Sequence, residues 1–339
     1  MKAERGATIK TWVYVMNSNK ESCLLGEIDA IRLGIVKLDL KGAAEAVTIE
    51  DETIKNIAFI PKPTPSEEAE NAELQKEIDR NMDNLRKRFN KLFSDRTGKF
   101  KDDIITIQYD KDAVPEIQAR RRIPLAHMDR LKDELEKMID EEFIEGPLSE
   151  EEEGTCISNL VLNEKKDGSG KIRVTLDCTG VNKRLYTTHE PIPTPEELRH
   201  LMKGSTRFSK IDLTNCYHQF EINEDSRKLF CFRTPWGLFR YKRLVQGASP
   251  ASSEAQRMIR RAVGHLDNLI FIKDDMIIHG CGEEHDTHLE KALSTLERKG
   301  FTLRPKKCEL GKPSISWFGY TFSKHGMSPD SSKCDIINQ

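Results

Sequence analysis

Two adjacent aspartates, Asp274 and Asp275, interrupt an apolar stretch that covers residues 268–279. The apolar residues on both sides predict a buried hairpin whose strands meet at Lys273 and the two aspartates. Carboxylates this close repel each other, and burial would raise their pKa values. A bound divalent cation relieves both costs. The alternative is an exposed turn without a chemical role. The same pair occurs at Asp102-Asp103 without apolar arms on both sides, so the pair alone does not indicate a site.

A third carboxylate ends another predicted strand, where residues 208–213 include Asp212. If this strand lies beside the hairpin, Asp212 comes next to Asp274. Three carboxylates around two Mg²⁺ ions can align a 3′-hydroxyl with an α-phosphate and neutralise the leaving pyrophosphate. The pattern therefore favours a two-metal nucleotidyl-transfer site that works by positioning and charge stabilisation.

Positive charge for a triphosphate is available on a predicted hairpin with Asp167-Gly168 at its turn. Lys165, Lys166, Lys171 and Arg173 flank this turn, and such a hairpin can close over β- and γ-phosphates. A solvated turn is the alternative. The basic cluster at residues 120–122 is equally consistent with a solvated turn and with a phosphate contact.

The elements that must position these residues mix helices with strand hairpins, which is an α+β pattern. Apolar periodicity predicts helices over residues 73–93, from Asp129, over 252–263 and over 284–299, and Thr194-Pro195 begins another with a capping box. Strands are predicted over residues 12–15, 57–60, 104–109, 156–162, 172–176, 208–213, 269–272, 276–278, 301–303 and 315–321.

The bulk properties of the 339 residues exclude several classes of protein. The net charge of −2, from 54 basic and 56 acidic residues, gives no global signal for nucleic-acid binding. The 8 cysteines form no CxxC pair, which argues against a zinc ribbon. The first residues lack the apolar segment of a signal peptide, and no apolar run reaches the ~18 residues that span a membrane. We therefore expect an intracellular protein with reduced thiols and no membrane partner.

From about Leu85 to Ile336 the chain resembles the pol product of gypsy-type LTR retrotransposons, in the reverse transcriptase region. The motifs follow the family's order, and the ordered set is specific even though each motif alone is not. They are Leu92-Phe93-Ser94-Asp95, Arg121-Arg122-Ile123-Pro124, Phe143-Ile144-Glu145, Lys165-Lys166-Asp167-Gly168 with Arg173, Phe208–Leu213 with Tyr217-His218-Gln219, Arg243-Leu244 with Gly247, Asp274-Asp275, Lys307-Cys308-Glu309 and Phe318-Gly319-Tyr320.

The resemblance implies roles for several positions in or beside these motifs. The metal ligands and catalytic residues would be Asp212, Asp274 and Asp275, with two Mg²⁺ ions, or Mn²⁺ in their place. Nucleotide-binding residues would be Lys165, Lys166, Arg173, Tyr217 and Gln246, of which Tyr217 screens the sugar 2′ carbon. Primer and template residues would be Gly247, Phe318 and Gly319.

The implied partners are an RNA/DNA template-primer duplex, dNTP and other pol chains. The implied location is the cytoplasm, in a virus-like particle, with the nucleus as the alternative.

Several positions depart from the family's pattern. Ile272 replaces the usual tyrosine before the aspartate pair, and Lys273 fills the variable position. Gln246 is more typical of retroviral members, and Asn215-Cys216 replaces the common Ser-Gly. None of these changes removes a predicted metal ligand.

The same resemblance divides the chain. Residues 111–322 would form the fingers and palm of a right-hand polymerase, and residues 323–339 the start of a truncated thumb. A linker and helical lead-in are expected over 46–110, because alternating prolines interrupt residues 61–65. Residues 1–45 resemble the C-terminal end of a retropepsin without its Asp-Thr/Ser-Gly triplet. A small β-rich, inactive protease remnant is expected there, with an unrelated strand-rich extension as the alternative.

Because the chain ends at Gln339, the thumb, RNase H and integrase parts would be missing and the grip on primer-template weak. The function expected from sequence is RNA-directed DNA polymerisation. Two rivals stay open: a catalytically impaired or domesticated fragment that only binds nucleic acid or pol chains, and a two-metal nuclease.

Overall fold

The computed structural model describes residues 12–16, 22–26, 36–38, 44–46, 65–150, 155–164 and 170–330. The chain divides into two compact units, residues 1–75 and 76–339. In the first unit, β1 (Trp12–Met16) pairs antiparallel with β2 (Ser22–Gly26), and β3 (Val36–Leu38) with β4 (Ala44–Ala46). The strand predicted over 12–15 is therefore present. The strand predicted over 57–60 and the prolines of the linker before residue 65 lie outside the described residues, and the protease resemblance stays a prediction.

Helix α1 (Pro65–Arg88) begins and ends earlier than the predicted range of 73–93. Proline suits the first helical position because its φ is already helical and it lacks only an N–H that would have no partner there. The buried Ile78 and Met82 pack at Gly311, where a Cβ atom would lie 2.7 Å from Ile78. Arg86 donates to the carbonyl of Cys308 at 2.9 Å. Helix α1 thus packs against the segment around residues 308–311.

The remaining helices and strands all belong to the larger unit. In chain order they are α2 (Met128–Asp140), β5 (Ile144–Leu148), β6 (Ile157–Ser158), β7 (Leu160–Glu164), β8 (Ile172–Leu176), α3 (Pro195–Leu201), β9 (Arg207–Asp212), α4 (Glu224–Arg227), β10 (Cys231–Thr234), β11 (Gly237–Tyr241), α5 (Ala251–Val263), β12 (Leu269–Ile272), β13 (Asp275–Gly280), α6 (Gly282–Arg298), β14 (Glu309–Lys312), β15 (Ser314–Trp317), β16 (Tyr320–Ser323) and β17 (Gly326–Pro329).

The central sheet has the antiparallel order β12-β13-β9-β14 and is buried on both faces. Ile211 and Met276 belong to the main hydrophobic core, with which α5 and α6 also pack. Phe208 and Ile277 belong to a second cluster on the alternate positions of the same strands. Burial on both faces is why the strands read as continuous apolar runs in the sequence.

A second sheet, with the order β5-β11-β10-β6, lies next to the separate hairpin β7–β8. The single strand predicted over 156–162 is wrong, because the chain changes partners at Asn159. Residues before it pair with β10, and residues after it pair with β8. Asn159 instead donates its backbone N–H to the side chain of Gln118 at 2.8 Å.

Three further strand predictions fail for related reasons. Residues 315–321 form a hairpin, since Phe318 and Gly319 both have positive φ and make the two-residue turn between β15 and β16. In 104–109, Ile105 and Tyr109 form isolated bridges to different partners, so no continuous ladder develops. Leu303 likewise makes only isolated bridges, to Phe93 and Leu213.

The predicted α+β class is confirmed by this combination of antiparallel sheets and packed helices. Within the described residues, no helix has the length and apolar character needed to cross a bilayer.

Candidate active site

The three predicted aspartates meet at one end of the central sheet. Asp212 is the last residue of β9 and Asp275 the first residue of β13, and the two stand directly opposite each other in the antiparallel register. Opposite residues of a ladder point their side chains to the same face. The sequence placed Asp212 next to Asp274. In the structure its direct partner is Asp275, while Asp274 occupies the turn, where its backbone carbonyl accepts a hydrogen bond from the N–H of Leu213 at 3.5 Å.

Lys273 and Asp274 form the turn that joins β12 to β13, immediately before Asp275. Lys273 has a φ of 57°, in the left-handed region that is unfavourable for a side chain with a Cβ atom. Its backbone N–H donates to the side-chain oxygen of Gln256 on α5 at 2.7 Å. Helix α5 therefore holds the turn, and with it Asp274, in a fixed position.

Asp212 is buried and is surrounded by cations from the segment that precedes β14. Lys307 Nζ lies 3.3 Å from Asp212 Oδ2, and Arg304 Nε lies 4.0 Å from Oδ1. The backbone N–H of Arg304 also donates to the carbonyl of Asp212 at 2.9 Å. In the sequence, Lys307 appeared only within the motif Lys307-Cys308-Glu309, and Arg304 belonged to no motif.

The carboxyl group of Asp275 experiences the charges of both other aspartates. Burial raises the pKa of Asp275, as do the charges of Asp274 and Asp212, while Lys210 and Lys307 act in the opposite direction. Burial also raises the pKa of the Cys216 thiol, and all three aspartates add to that rise. All three carboxylates therefore lie near the buried Cys216 thiol.

The donor set fits a hard divalent cation, because carboxylate oxygens are the ligands Mg²⁺ prefers and a cation would relieve this repulsion. In the described part of the chain, no group of three or more His, Cys, Asp or Glu side chains converges into a finished metal site. The aspartates therefore fit by type, charge and strand position, without forming a closed ligand group.

A cavity of about 780 Å³ opens in front of Asp212 and Asp274. It brings together five of the predicted site residues: Asp212, Asp274, Arg173, Tyr217 and Gln246. Arg173, on β8, donates to the side-chain oxygen of Gln246, which joins the hairpin β7–β8 to the loop before α5.

The wall of the cavity beside Asp212 contains Tyr217 and His218. The Tyr217 hydroxyl hydrogen-bonds Ser252, and burial raises its pKa. The His218 ring lies 4.4 Å from the ring of Phe143, and burial, with the charges of Arg243 and Arg173, lowers its pKa to about 4. His218 is therefore neutral near pH 7, and it lines the cavity without a charge.

Asp275 stands opposite Asp212 in the ladder but is not among the residues that line the cavity. Lys165 and Lys166 fall outside the described residues. Gly247, Phe318 and Gly319 are not among the residues that line the cavity. Gly247 has a φ of 104° and accepts a hydrogen bond from Asn182, and Phe318 is 47% exposed at the β15–β16 turn.

Comparison with protein families matches residues 164–322 to the model described as reverse transcriptase (RNA-dependent DNA polymerase). Among curated proteins, an uncharacterized protein of Caenorhabditis elegans is 30% identical over 256 residues, which are 75% of this chain and 20% of the relative. The Pol polyprotein from transposon 412 of Drosophila melanogaster is 27% identical over 234 residues, 67% of this chain and 18% of the relative. The chain thus spans about a fifth of the length of these relatives.

Among solved structures, the foamy viral protease-reverse transcriptase in complex with an RNA/DNA hybrid has a TM-score of 0.66 and 18% identity, over 83% of this chain and 39% of that one. A further structure of that protein with double-stranded DNA has a TM-score of 0.68 and 18% identity, over 97% of this chain and 57% of that one. At this identity the likeness establishes the fold, and the predicted right-hand palm and fingers are confirmed at that level.

Proposed function

Because the chain belongs to the reverse transcriptase family, related to retrotransposon Pol polyproteins, we propose that it extends a primer 3′-hydroxyl with dNTP under the direction of an RNA template. It would act as the fingers and palm of a longer pol protein. Its partners would be the template-primer duplex, dNTP and other pol chains, in the cytoplasm within a virus-like particle or in the nucleus.

The observation that carries this proposal is the shared cavity of about 780 Å³. Asp212 and Asp274 contribute carboxylates to it, Arg173 contributes positive charge, and Tyr217 contributes an aromatic wall. Nucleotidyl transfer needs acidic groups at the reacting end and cations at the triphosphate end of one enclosed space.

Reverse transcriptases use divalent metal ions, and Asp212, Asp274 and Asp275 would hold two Mg²⁺ ions here. Such ions would supply charge that lowers the pKa of the primer 3′-hydroxyl and stabilises the leaving pyrophosphate. Asp212 is already paired with Lys307. This contact, between Lys307 Nζ and Asp212 Oδ2 at 3.3 Å, would orient the carboxylate as a ligand.

The chain's own residues would bind and orient the nucleotide. Arg173, with Lys165 and Lys166 of the same hairpin, would hold the triphosphate, and Gln246 would keep the Arg173 guanidinium in place through their hydrogen bond. Tyr217, fixed by Ser252, would exclude a sugar with a 2′-hydroxyl.

On the primer side, Gly247, Phe318 and Gly319 would support the duplex. The turn Phe318-Gly319 presents an exposed ring, which suits contact with a nucleic-acid strand.

The test is Mg²⁺-dependent incorporation of dTTP on a poly(rA)/oligo(dT) template. We expect extension by the wild type and none above background by Asp274→Asn, while the matched control Asp133→Asn, an exposed aspartate on α2, retains wild-type activity. No extension by the wild type, or equal extension by Asp274→Asn, would overturn the proposal. Template-primer binding without extension would instead indicate a non-catalytic binding module.

A further inference from the structure

Arg304 lines the same cavity as Asp212, and the function proposed above gives its side chain no role. The backbone of this residue is held in place. The N–H of Arg304 donates to the carbonyl of Asp212 at 2.9 Å, and the N–H of Thr214 donates to the carbonyl of Thr302 at 3.0 Å. The segment that contains Arg304 therefore lies antiparallel to the end of β9. This pairing keeps the Cα atom of Arg304 beside Asp212, while the long side chain keeps its rotamer freedom.

The guanidinium of Arg304 lies between two acceptors. Its Nε is 4.0 Å from Asp212 Oδ1, and its Nη2 donates to Asn215 Oδ1 at 3.3 Å. The amide nitrogen of Asn215 donates to Thr97 Oγ1 at 2.9 Å, which orients the amide oxygen towards Arg304. Within the described part of the chain, Arg304 makes no other side-chain contact of this kind. A guanidinium has five N–H donors, so most of them remain available to another acceptor.

A divalent cation and the guanidinium of Arg304 would compete for the same carboxylate. Both oxygens of Asp212 are next to cations, since Arg304 lies near Oδ1 and Lys307 near Oδ2. An ion bound by Asp212 would lie close to the guanidinium, and like charges in a partly buried site repel each other. The Arg304 side chain is 33% exposed, so it can turn away from the carboxylate when an ion binds.

A triphosphate in the cavity would give the displaced guanidinium a new partner. The planar guanidinium fork matches the geometry of phosphate oxygens and can bind two of them at once. Arg173 reaches the same cavity from β8, whereas Arg304 reaches it from the segment between α6 and β14. Two arginines from separate elements can therefore hold one triphosphate.

We propose that Arg304 is a counter-ion that changes partner: it holds Asp212 in the metal-free protein, and it holds the triphosphate once the divalent ions are bound. The inference rests on the proposed function, because it takes the ligand of the cavity to be a nucleoside triphosphate. It requires two effects of opposite sign. Loss of the Arg304 side chain removes a competitor of the metal ion, and it also removes a ligand of the phosphate.

The test measures two affinities without nucleic acid. They are the affinity for Mn²⁺ alone, from the electron paramagnetic resonance signal of the free ion, and for inorganic tripolyphosphate at saturating Mg²⁺, by calorimetry. Arg304→Gln should bind Mn²⁺ about fivefold more tightly and tripolyphosphate about fivefold more weakly than the wild type, as expected for one partly exposed charged contact. Arg304→Lys keeps the charge and should stay within about twofold of the wild type in both. The matched control Arg298→Gln, which removes an exposed arginine from the end of α6, should change neither affinity.

A measurement on the wild type removes the dependence on how well the variants fold. In protein with isotope-labelled arginine, the Nε–H signal of Arg304 is identified by its absence from the spectrum of Arg304→Lys. This signal should shift when Mg²⁺ is added and shift again when tripolyphosphate is added.

Several results would overturn the inference. They are equal Mn²⁺ affinities or equal tripolyphosphate affinities of the wild type and Arg304→Gln, and an Nε–H signal that does not respond to tripolyphosphate. Weaker binding of both ligands by Arg304→Gln would indicate a purely structural role and would also overturn it. Absence of Mn²⁺ binding to the wild type would refute the metal site and the inference together. Because no measurement requires a template, the two opposite shifts together with no primer extension would refute only the proposed function.

Discussion

Replacing Asp275 with asparagine should stabilise the metal-free protein while it destroys activity. Asp275 stands opposite Asp212 and follows Asp274, and burial and these two charges raise its pKa. Within the described residues, no side chain donates a hydrogen bond to its carboxylate, so the amide loses no partner. The substitution Asp275→Asn therefore removes repulsion at little structural cost.

The magnitude follows from the strand register. Residues directly opposite in an antiparallel ladder have Cα atoms ~4.5–5.5 Å apart. Two unit charges ~5 Å apart repel each other by ~0.8 kcal/mol in water. The repulsion is ~3 kcal/mol at an effective dielectric constant of ~20. Asp275 is half-buried, and Lys210 and Lys307 offset part of the repulsion. We expect a gain of about 1 kcal/mol, which for a unit of this size raises Tm by about 2–4 °C.

The assay is thermal and urea unfolding in EDTA and in Mg²⁺, over a range of pH. A carboxyl whose pKa is raised in the folded state destabilises that state at neutral pH. The stability deficit of the wild type should therefore shrink as the pH falls through the raised pKa of Asp275, and it should vanish below the unfolded value of ~3.9. Saturating Mg²⁺ should also reduce the difference in stability between the wild type and Asp275→Asn. The wild type binds the ion more tightly and is therefore stabilised more.

Two comparison variants make this result specific. Asp133→Asn removes an exposed charge and should change Tm little. Asp212→Asn gives up the contact with Lys307 and should be less stabilising than Asp275→Asn. If Asp275→Asn is less stable than the wild type in EDTA, or if Mg²⁺ leaves the difference unchanged, then the three carboxylates do not form a repulsive, cation-binding group.

The other predictions concern packing and sugar selection. Gly300→Ala should lower the free energy of unfolding by about 2–4 kcal/mol, because its Cβ would lie 2.2 Å from the carbonyl of Lys99 at a φ of 85°. Gly326→Ala, at a φ of 104° with no atom nearby, should cost only about 1 kcal/mol. Equal urea midpoints for the two would contradict this. Tyr217→Ala should raise the kcat/KM for ribonucleotides relative to deoxyribonucleotides by roughly 10- to 100-fold. Tyr217→Phe keeps the ring and should change the ratio little, and an unchanged ratio in Tyr217→Ala would refute the screening role.

The hairpin that carries Asp274 and Asp275 was the part of the fold that the sequence predicted best. Its apolar arms, the aspartates at their junction and the strand ending at Asp212 are local patterns, and each appears at its predicted place. The capping box at Thr194 also forms, with the hydroxyl accepting from the N–H of Glu197. Periodicity and capping depend on residues a few positions apart, so a single sequence carries them.

Strand partners were predicted less well. Asn159 divides one apolar run between two sheets, and Phe318 with Gly319 folds another back on itself. An apolar run indicates that a segment is buried, but it does not specify which strand the segment pairs with. Partner choice depends on segments that are distant in sequence, and no local pattern records it.

The sequence by itself indicated the family, through the order of its motifs, and predicted the chemistry of the site, from three carboxylates and a basic hairpin. Only the tertiary structure decided that Asp275 faces Asp212, that Lys307 and Arg304 lie beside Asp212, and that four arginines share one cleft. The reason is distance along the chain. Lys307 contacts Asp212 across 95 positions, and Arg233 meets the cluster at 120–122 only because β6 pairs with β10. Residue types specify what chemistry is available, and long-range strand pairing determines which of those groups act together.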